Sequence, residues 1–161
     1  MSNSGIAQMN MSKDPSKMPS PPAETKAIIN GKNVEIHYHQ PAVKGRNVWA
    51  GSLAPYGKIW RTGANDAPTF EVSEDVLVAG KSLAKGIYAL FTIPGETEWT
   101  IIFNKVAKQW GAYNYKENED ALRITVPSIA HEMTERFTID ASQESGVSLK
   151  WDKVEVKFNV E

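Results

Sequence analysis

Short runs in which apolar and polar residues alternate dominate the chain after Ala27. In the run VEIHYH, residues 34–39, every second side chain is apolar, which is the two-residue period of a half-buried strand. The run AIIN, residues 27–30, precedes it, and the intervening GKN, residues 31–33, is typical of a turn. These residues predict a β-hairpin.

Further runs of the same kind follow, separated by Gly, Asn and Pro. They are TFEV (69–72), DVLVAG (75–80), GIYALFTIP (86–94), EWTIIFN (98–104), ALRITV (121–126), RFTIDA (136–141), VSLKWD (147–152) and VEVKFNV (154–160). No segment keeps a helical period over three turns, although Ile129, Met133 and Phe137 fit either a helical turn or a loop that enters a strand. The pattern predicts an all-β fold: an antiparallel β-sandwich of jelly-roll type, with about ten short strands and little helix.

Residues 1–26 differ from the rest because they show no apolar periodicity and hold four of the nine prolines. This composition predicts a disordered leader or tether, followed by a single β-sandwich domain over residues 27–161. No hydrophobic signal core is present in the leader. Its small residues at 4–7 are of the kind that remain after signal-peptidase cleavage, which is compatible with export.

Composition narrows the classes of function. A chain that is 41% hydrophobic and 23% charged is typical of one globular domain, and a net charge of -1 offers no general field for nucleic acid. The absence of cysteine excludes disulfides, iron–sulfur clusters, thiolate zinc sites and thiol nucleophiles. The apolar runs are shorter than the roughly 20 residues of a membrane helix, so we predict no membrane span.

Two segments are not explained by strand periodicity, residues 40–66 and 104–115. Both mix glycine with aromatic and hydrogen-bonding side chains, which is how proteins line small-molecule pockets. We predict a pocket formed by the 55–65 and 104–115 loops. The predicted ligand contacts, aromatic walls and polar anchors together, are Tyr56, Trp60, Arg61, Asn65, Trp110 and Tyr113.

A structural role explains Arg61 and Asn65 equally well, because a long connection must satisfy its own backbone polar groups. Arg46, beside Gly45 in a predicted turn, is favoured as a surface or structural residue. Trp99 and Trp151 lie in alternating runs and are predicted to be core.

Other chemistry has little support. His37 and His39 share one face of a strand, which is half of a metal site, but no third ligand has a spacing argument, and we predict neither a metal nor a cofactor. The chain has no GxSxG elbow, phosphate loop or GxGxxG motif. Its carboxylates stand in charged turns typical of solvated surface. The sequence therefore contains no recognisable catalytic motif.

Several motifs together resemble one bacterial family. They are Pro41 shortly before Gly45–Arg46, WRTGAN (60–65), GIYALFTIP (86–94), Trp99 to Lys105, WGAY (110–113) and the late Trp151. On these motifs the chain from 27 to 160 resembles domain-of-unknown-function family 2911. The resemblance implies a β-sandwich protein exported by Gram-negative bacteria, located in the periplasm or on the outer surface, and implies no activity. The His37–His39 pair is not part of that family's pattern.

Three hypotheses of function follow. The first is a binding module for a sugar or other small molecule, such as a small carboxylate, with stacking on the aromatic residues and hydrogen bonds from Arg61 and Asn65. The second is a hydrolase or lyase in which Arg61 holds an anionic substrate and His131 or a nearby carboxylate acts as base. The third is a structural or assembly domain that uses free sheet edges. The sequence leaves the oligomeric state open.

Overall fold

A computed structural model describes residues 19–161 of the chain. Ten strands follow one another along it: β1 (Pro22–Ile29), β2 (Lys32–His39), β3 (Thr69–Val72), β4 (Val76–Val78), β5 (Lys81–Leu83), β6 (Gly86–Ile93), β7 (Glu98–Asn104), β8 (Asp120–Pro127), β9 (Ile129–Ser142) and β10 (Gly146–Phe158). A 3₁₀ turn, Glu117–Glu119, precedes β8. None of the helical structure within residues 19–161 is long and apolar enough to cross a bilayer.

The main layer is a six-stranded antiparallel sheet in the order β1-β2-β3-β6-β7-β8. The predicted first hairpin is its β1–β2 pair, in which Ala27 stands opposite Val34. The long β9–β10 hairpin forms a second layer. A short β4–β5 hairpin is tied to the chain end that follows β10 by a bridge between Val78 and Val160. These elements confirm the all-β prediction.

The core lies between the sheet and the β9–β10 hairpin. Phe70 of β3 and Phe103 of β7 are both fully buried, with ring centroids 5.0 Å apart. Phe158 of β10 packs against the Phe103 ring at 5.8 Å, so both layers contribute to the same cluster. The contact buries one apolar face of each layer, which is the arrangement of a sandwich.

Four tryptophans close one end of this core: Trp49, Trp60, Trp99 and Trp151. Trp60 stacks on Trp151 with ring centroids 5.5 Å apart, and Trp49 meets Trp99 edge to face at 5.4 Å. All four are at least 92% buried, the least buried being Trp49 with 8% exposed. The core assignment of Trp99 and Trp151 is thus confirmed.

The N-terminal boundary of the sheet differs from the prediction. β1 begins at Pro22, so residues 22–26 belong to a strand and not to a disordered leader. Their side chains on the half-buried face are small, Ala23 and Thr25, and gave no apolar signal. The Thr25 hydroxyl donates to the carbonyl of Ile139 at 2.6 Å, which ties β1 to the second layer. Residues 1–18 of the leader predicted over 1–26 lie outside the described part of the chain.

The C-terminal strands also differ from the prediction. The two runs VSLKWD and VEVKFNV form one strand, β10, whose pairing with β9 shifts on both sides of Asp152. Asp152 has φ +55, a conformation that Asp tolerates better than most residues, and the irregularity is a bulge rather than a strand end. The ambiguous segment 129–137 lies within β9. β5 was not predicted, because its three residues contain one apolar side chain, Leu83.

Replacing Phe103 with Ala tests the position of the core. The change empties a fully buried site that contacts both layers, and we expect the free energy of unfolding to fall by about 3–5 kcal/mol in urea titrations. The control is Ile87→Ala on β6, whose side chain is 48% exposed, with an expected loss below about 1 kcal/mol. Equal losses in the two variants would contradict the described packing.

Candidate functional site

Residues 57–60 run beside the second half of β6. They lie beyond Thr69, the first residue of β3, which pairs with Ala89 of β6. The Trp60 N–H donates to the carbonyl of Thr92 at 2.8 Å, and the Thr92 N–H donates back to Trp60 at 3.0 Å. Gly57 adds a third bond, from its N–H to the carbonyl of Pro94 at 2.8 Å. Successive side chains of an extended segment point to opposite sides. Trp60 therefore enters the tryptophan cluster, and Arg61 borders a surface cleft.

The turn that follows Arg61 has an unusual backbone. Thr62, Gly63 and Asn65 all have positive φ, at 54°, 143° and 59°. Asn adopts this region more readily than most residues, and at Gly63 a Cβ would lie 3.0 Å from the carbonyl oxygen of His39. Thr62 is a true outlier because β-branched residues rarely have positive φ. Its buried hydroxyl donates to the Trp60 carbonyl at 3.1 Å and contacts the Thr92 hydroxyl at 3.2 Å.

The second loop, residues 105–116, covers the outer face of β6 and β7. Asn104 is fully buried at its start, and the side-chain amide donates to the carbonyl of Lys116 at 3.1 Å and to Asp120 at 2.8 Å. Its carbonyl oxygen accepts from the Val106 N–H at 3.1 Å and from Gln109 at 2.9 Å. Asn104 therefore joins both ends of the loop, and its hydrogen-bonding groups are used within the protein.

Tyr115 holds the far end of the same loop. Its ring packs on Phe91 with centroids 4.9 Å apart, and its hydroxyl donates to Asp120 at 2.6 Å. Arg123 donates both to that carboxylate and to the Tyr115 hydroxyl, each at 2.8 Å. Burial, and then the hydrogen bond to Asp120, raises the pKa of Tyr115 to about 12.

The two loops meet. The Ala67 N–H donates to the carbonyl of Gln109 at 2.9 Å, and the Gly111 N–H donates to the carbonyl of Asn65 at 3.0 Å. Beside this junction lies an open cleft of about 380 Å³. Its lining residues are Arg61, Asn65, Trp110, Gly111, Ala112 and Tyr113. Four of the six predicted ligand contacts are therefore together at one cleft between the two predicted loops.

The other two predicted contacts do not line this cleft. Trp60 is 3% exposed, because its pairing with β6 turns the indole into the core. Tyr56 stacks on Trp49 outside the cleft, with ring planes 7° apart and centroids separated by 6.2 Å. The prediction that the Trp60 and Tyr56 rings form walls of the pocket is therefore wrong.

Arg61 is the main electrostatic feature of the cleft. The side chain is half-buried, and within residues 19–161 its guanidinium makes neither a hydrogen bond nor an ion pair. Burial lowers the pKa of Arg61, an effect that the nearby Tyr113 phenol partly opposes. The group stays charged at all ordinary pH values. A cation is thus partly desolvated with no ion-pair partner in the described part of the chain.

Trp110 and Tyr113 supply exposed aromatic surface at the cleft, being 62% and 88% exposed. All five tryptophans lie in the described part of the chain, and Trp110 is the one that is not buried. The Tyr113 ring lies over Gly111, where a Cβ would come within 3.0 Å of it. Gly111 also has φ +62, a conformation that favours glycine, whereas the exposed Tyr113 ring could shift to make room for a Cβ.

The three histidines are not brought together. His37 contacts Glu35 at 2.5 Å and Glu24 at 3.5 Å, and the Glu35 hydrogen bond with His37 lowers the pKa of Glu35. Glu24, Glu35 and His37 thus form one surface cluster of hydrogen-bonded groups, and surface acidic groups of this kind are common without a metal. His39 is partly buried, which lowers its pKa, with Asp66 opposing the effect.

His131 lies on β9, and its Nδ1 is 2.8 Å from the carbonyl oxygen of Glu132. It does not line the Arg61 cleft.

A larger depression, of about 580 Å³, lies on the exposed face of β1, β2 and β3. Two of its charged groups have partners: Lys26 lies 3.8 Å from Glu24, and Glu35 is bonded to His37. Glu71, the third, stands opposite Glu35 in the register of β2 and β3. The depression is larger than the Arg61 cleft, but it lacks the exposed aromatic rings of that cleft and a half-buried cation without a partner among residues 19–161.

The fold and the cleft define an antiparallel β-sandwich with an aromatic, cation-bearing cleft between two anchored surface loops. A family profile, DUF2911, described as a protein of unknown function, matches residues 20–160. The chain belongs to this family. No match to it was found among curated proteins or among solved structures.

Tyr115→Phe tests the anchor of the second loop. The ring contact with Phe91 is kept while the hydroxyl is lost, and we expect a loss of about 1 kcal/mol of stability at neutral pH. Because the pKa of Tyr115 is higher in the folded protein than in the unfolded chain, where it is about 10, the protonated hydroxyl contributes its full stabilisation below about pH 10. This contribution is lost as the pH rises to about 12, the pKa in the folded protein. Urea titrations across pH 8–12 should show the difference between wild type and variant shrinking above pH 10. A difference that is constant over this range would contradict the assignment.

Substitutions of Asn65 separate its backbone role from its side chain. Asn65→Gly keeps the positive φ without strain, whereas Asn65→Ala forces Ala into that region at a cost of about 1 kcal/mol. We expect thermal unfolding to show a lower midpoint for the Ala variant than for the Gly variant. If both variants lose the same stability, the contribution of Asn65 to stability comes from its side chain and not from its backbone conformation.

Proposed function

We propose that this protein is a binding module whose cleft takes a small acidic sugar, with the sugar carboxylate on Arg61 and a face of the sugar ring against Trp110 and Tyr113. The single observation that carries the proposal is the half-buried guanidinium of Arg61, which has no partner within residues 19–161. Recognition is the whole of the proposed activity.

The anion is inferred from the state of Arg61. A partly desolvated charge costs free energy unless an opposite charge and hydrogen bonds compensate it. A carboxylate offers both, because its two oxygens match the planar fork of the guanidinium. The neighbouring network uses its cation differently: Arg123 is paired with Asp120 at 2.8 Å. The contrast supports a ligand as the missing partner of Arg61.

The sugar is inferred from the walls. Exposed indole and phenol rings present flat apolar faces, which suit the C–H face of a pyranose, and the Asn65 amide can donate to and accept from hydroxyl groups. The cleft volume of about 380 Å³ lies in the range of small-molecule sites. Gly111 and Ala112 leave the space between the rings free of bulky side chains.

The alternative hypotheses have less support. A hydrolase or lyase needs an acid or base within hydrogen-bond reach of the substrate, and among residues 19–161 no Asp, Glu or His lines the cleft. A purely structural Arg61 would bond its donors to backbone carbonyls, as Arg46 does with Val43 and Ala42. Arg61 makes no bond of this kind within the described residues.

The test is calorimetric titration with galacturonic acid and with galactose, its neutral counterpart. We expect binding of the acid and at least about tenfold weaker binding of galactose, since a charge-assisted hydrogen bond to Arg61 is worth about 1.5–3 kcal/mol. Arg61→Gln should remove this preference, while Lys108→Gln, an exposed lysine of the second loop that does not line the cleft, should keep it.

Two further readouts accompany the titration. Trp110 is the exposed indole, so bound ligand should protect its fluorescence from quenching by acrylamide in wild type. Thermal unfolding checks that Arg61→Gln is folded. The proposal fails if neither the acid nor galactose binds, or if a folded Arg61→Gln protein binds the acid as tightly as wild type does.

A further inference from the structure

Arg61 borders a second, smaller depression in addition to the cleft. This depression has a volume of about 160 Å³ and is lined on the core side by the buried rings of Trp60 and Trp151. Lys44 and Arg46 stand in its wall with Arg61. The depression and the aromatic cleft thus share one residue, the cation that the proposed function places on a carboxylate.

The charge of the depression is one-sided. Three cationic side chains line it, and within residues 19–161 no acidic side chain does. The carboxylate of Glu135, outside this lining, accepts from the backbone N–H of Lys44 at 2.8 Å. Three cations around a small concave surface focus a positive potential that attracts an anion. This local field contrasts with the net charge of -1 over the whole chain.

The cations differ in how firmly they are held. Arg46 donates to the carbonyls of Val43 at 3.0 Å and Ala42 at 2.5 Å, so its charge is fixed against the loop. Lys44 has φ +49, and its backbone is held by Glu135, while its side chain is exposed and forms no ion pair among the described residues. Besides Arg61, which the aromatic cleft shares, Lys44 is therefore the cation of this depression whose side chain makes no bond within residues 19–161.

We propose that the depression is a second anion subsite, and that the ligand is an acidic oligosaccharide whose adjacent units place one carboxylate on the cleft side of Arg61 and the next near Lys44. The inference rests on the proposed function. The volume of about 160 Å³ corresponds to roughly five water molecules, which suits a carboxylate with part of its sugar. The aromatic cleft, more than twice as large, takes the stacked ring.

The experiment compares galacturonic acid with digalacturonic acid by calorimetry at low salt, where exposed charges are least screened. We expect wild type to bind the dimer at least tenfold more tightly than the monomer. Lys44→Gln should remove most of this gain and leave the affinity for the monomer within twofold of wild type. The matched control is Lys85→Gln, an exposed lysine in the β5–β6 turn that lines neither cavity, which should change neither affinity.

The outcomes separate the two proposals. Equal affinity of wild type for monomer and dimer overturns the second subsite and leaves the proposed function standing. Equal weakening of both ligands by Lys44→Gln also overturns it, because the lysine would then act through the general field. If neither ligand binds to wild type, the proposed function fails and the subsite fails with it. Circular dichroism of each variant verifies that the fold is intact.

Discussion

The backbone pairing of Trp60 with Thr92 is the constraint on which the candidate site depends. It continues the sheet beyond the end of β3 and commits the Trp60 indole to the tryptophan cluster, so that Arg61 borders the surface cleft. The buried Thr62 hydroxyl then bonds back to this pair, and positive φ values at Thr62, Gly63 and Asn65 turn the chain toward the second loop. Conformational strain at Thr62 is tolerated because its buried hydroxyl is held by the Trp60 carbonyl and by the Thr92 hydroxyl.

The second loop is held by side-chain hydrogen bonds at its two ends, and the aromatic side chains between them are exposed to solvent. Asn104 and Tyr115 use their polar groups within the protein and pack beneath the loop. Trp110 and Tyr113, between these anchors, remain exposed. Asn104 and Tyr115 thus use their polar groups for the fold, although the buried Oε1 of Gln109 in the same loop has no hydrogen-bond partner among residues 19–161. Arg61, at the junction of the loops, differs because it carries a charge and its guanidinium makes neither a hydrogen bond nor an ion pair in that part of the chain. A half-buried charge left in this state, more than cavity size, marks a candidate binding residue.

Charge in this protein is local. The basic and acidic residues almost balance over the chain. On the exposed face of β1 and β2, Lys26 and His37 lie beside glutamates, within one strand for Lys26–Glu24 and His37–Glu35 and across the two strands for His37–Glu24. Around Arg61 the balance fails, because Lys44 and Arg46 lie on its other side and no acidic residue between 19 and 161 lines the depression. A composition that argues against nucleic acid is therefore compatible with a small anionic ligand.

The alternation of apolar residues was sufficient to locate most strands, with β3 and β7 predicted to the residue, because period-two burial depends on local sequence alone. The unusual composition of the 55–65 and 104–115 segments was likewise sufficient to predict four residues of the cleft as ligand contacts: Arg61, Asn65, Trp110 and Tyr113. The sequence could not reveal that residues 22–26 extend β1, since Ala23 and Thr25 are small and are placed by contacts with β9 more than one hundred residues away.

Only the tertiary structure decided that the Trp60 side chain enters the core while Arg61 borders the surface cleft. It also showed that Asn104 joins the two ends of the second loop. In an irregular loop the direction of a side chain is set by hydrogen bonds to a distant strand, here from Trp60 to Thr92, and no periodicity records them.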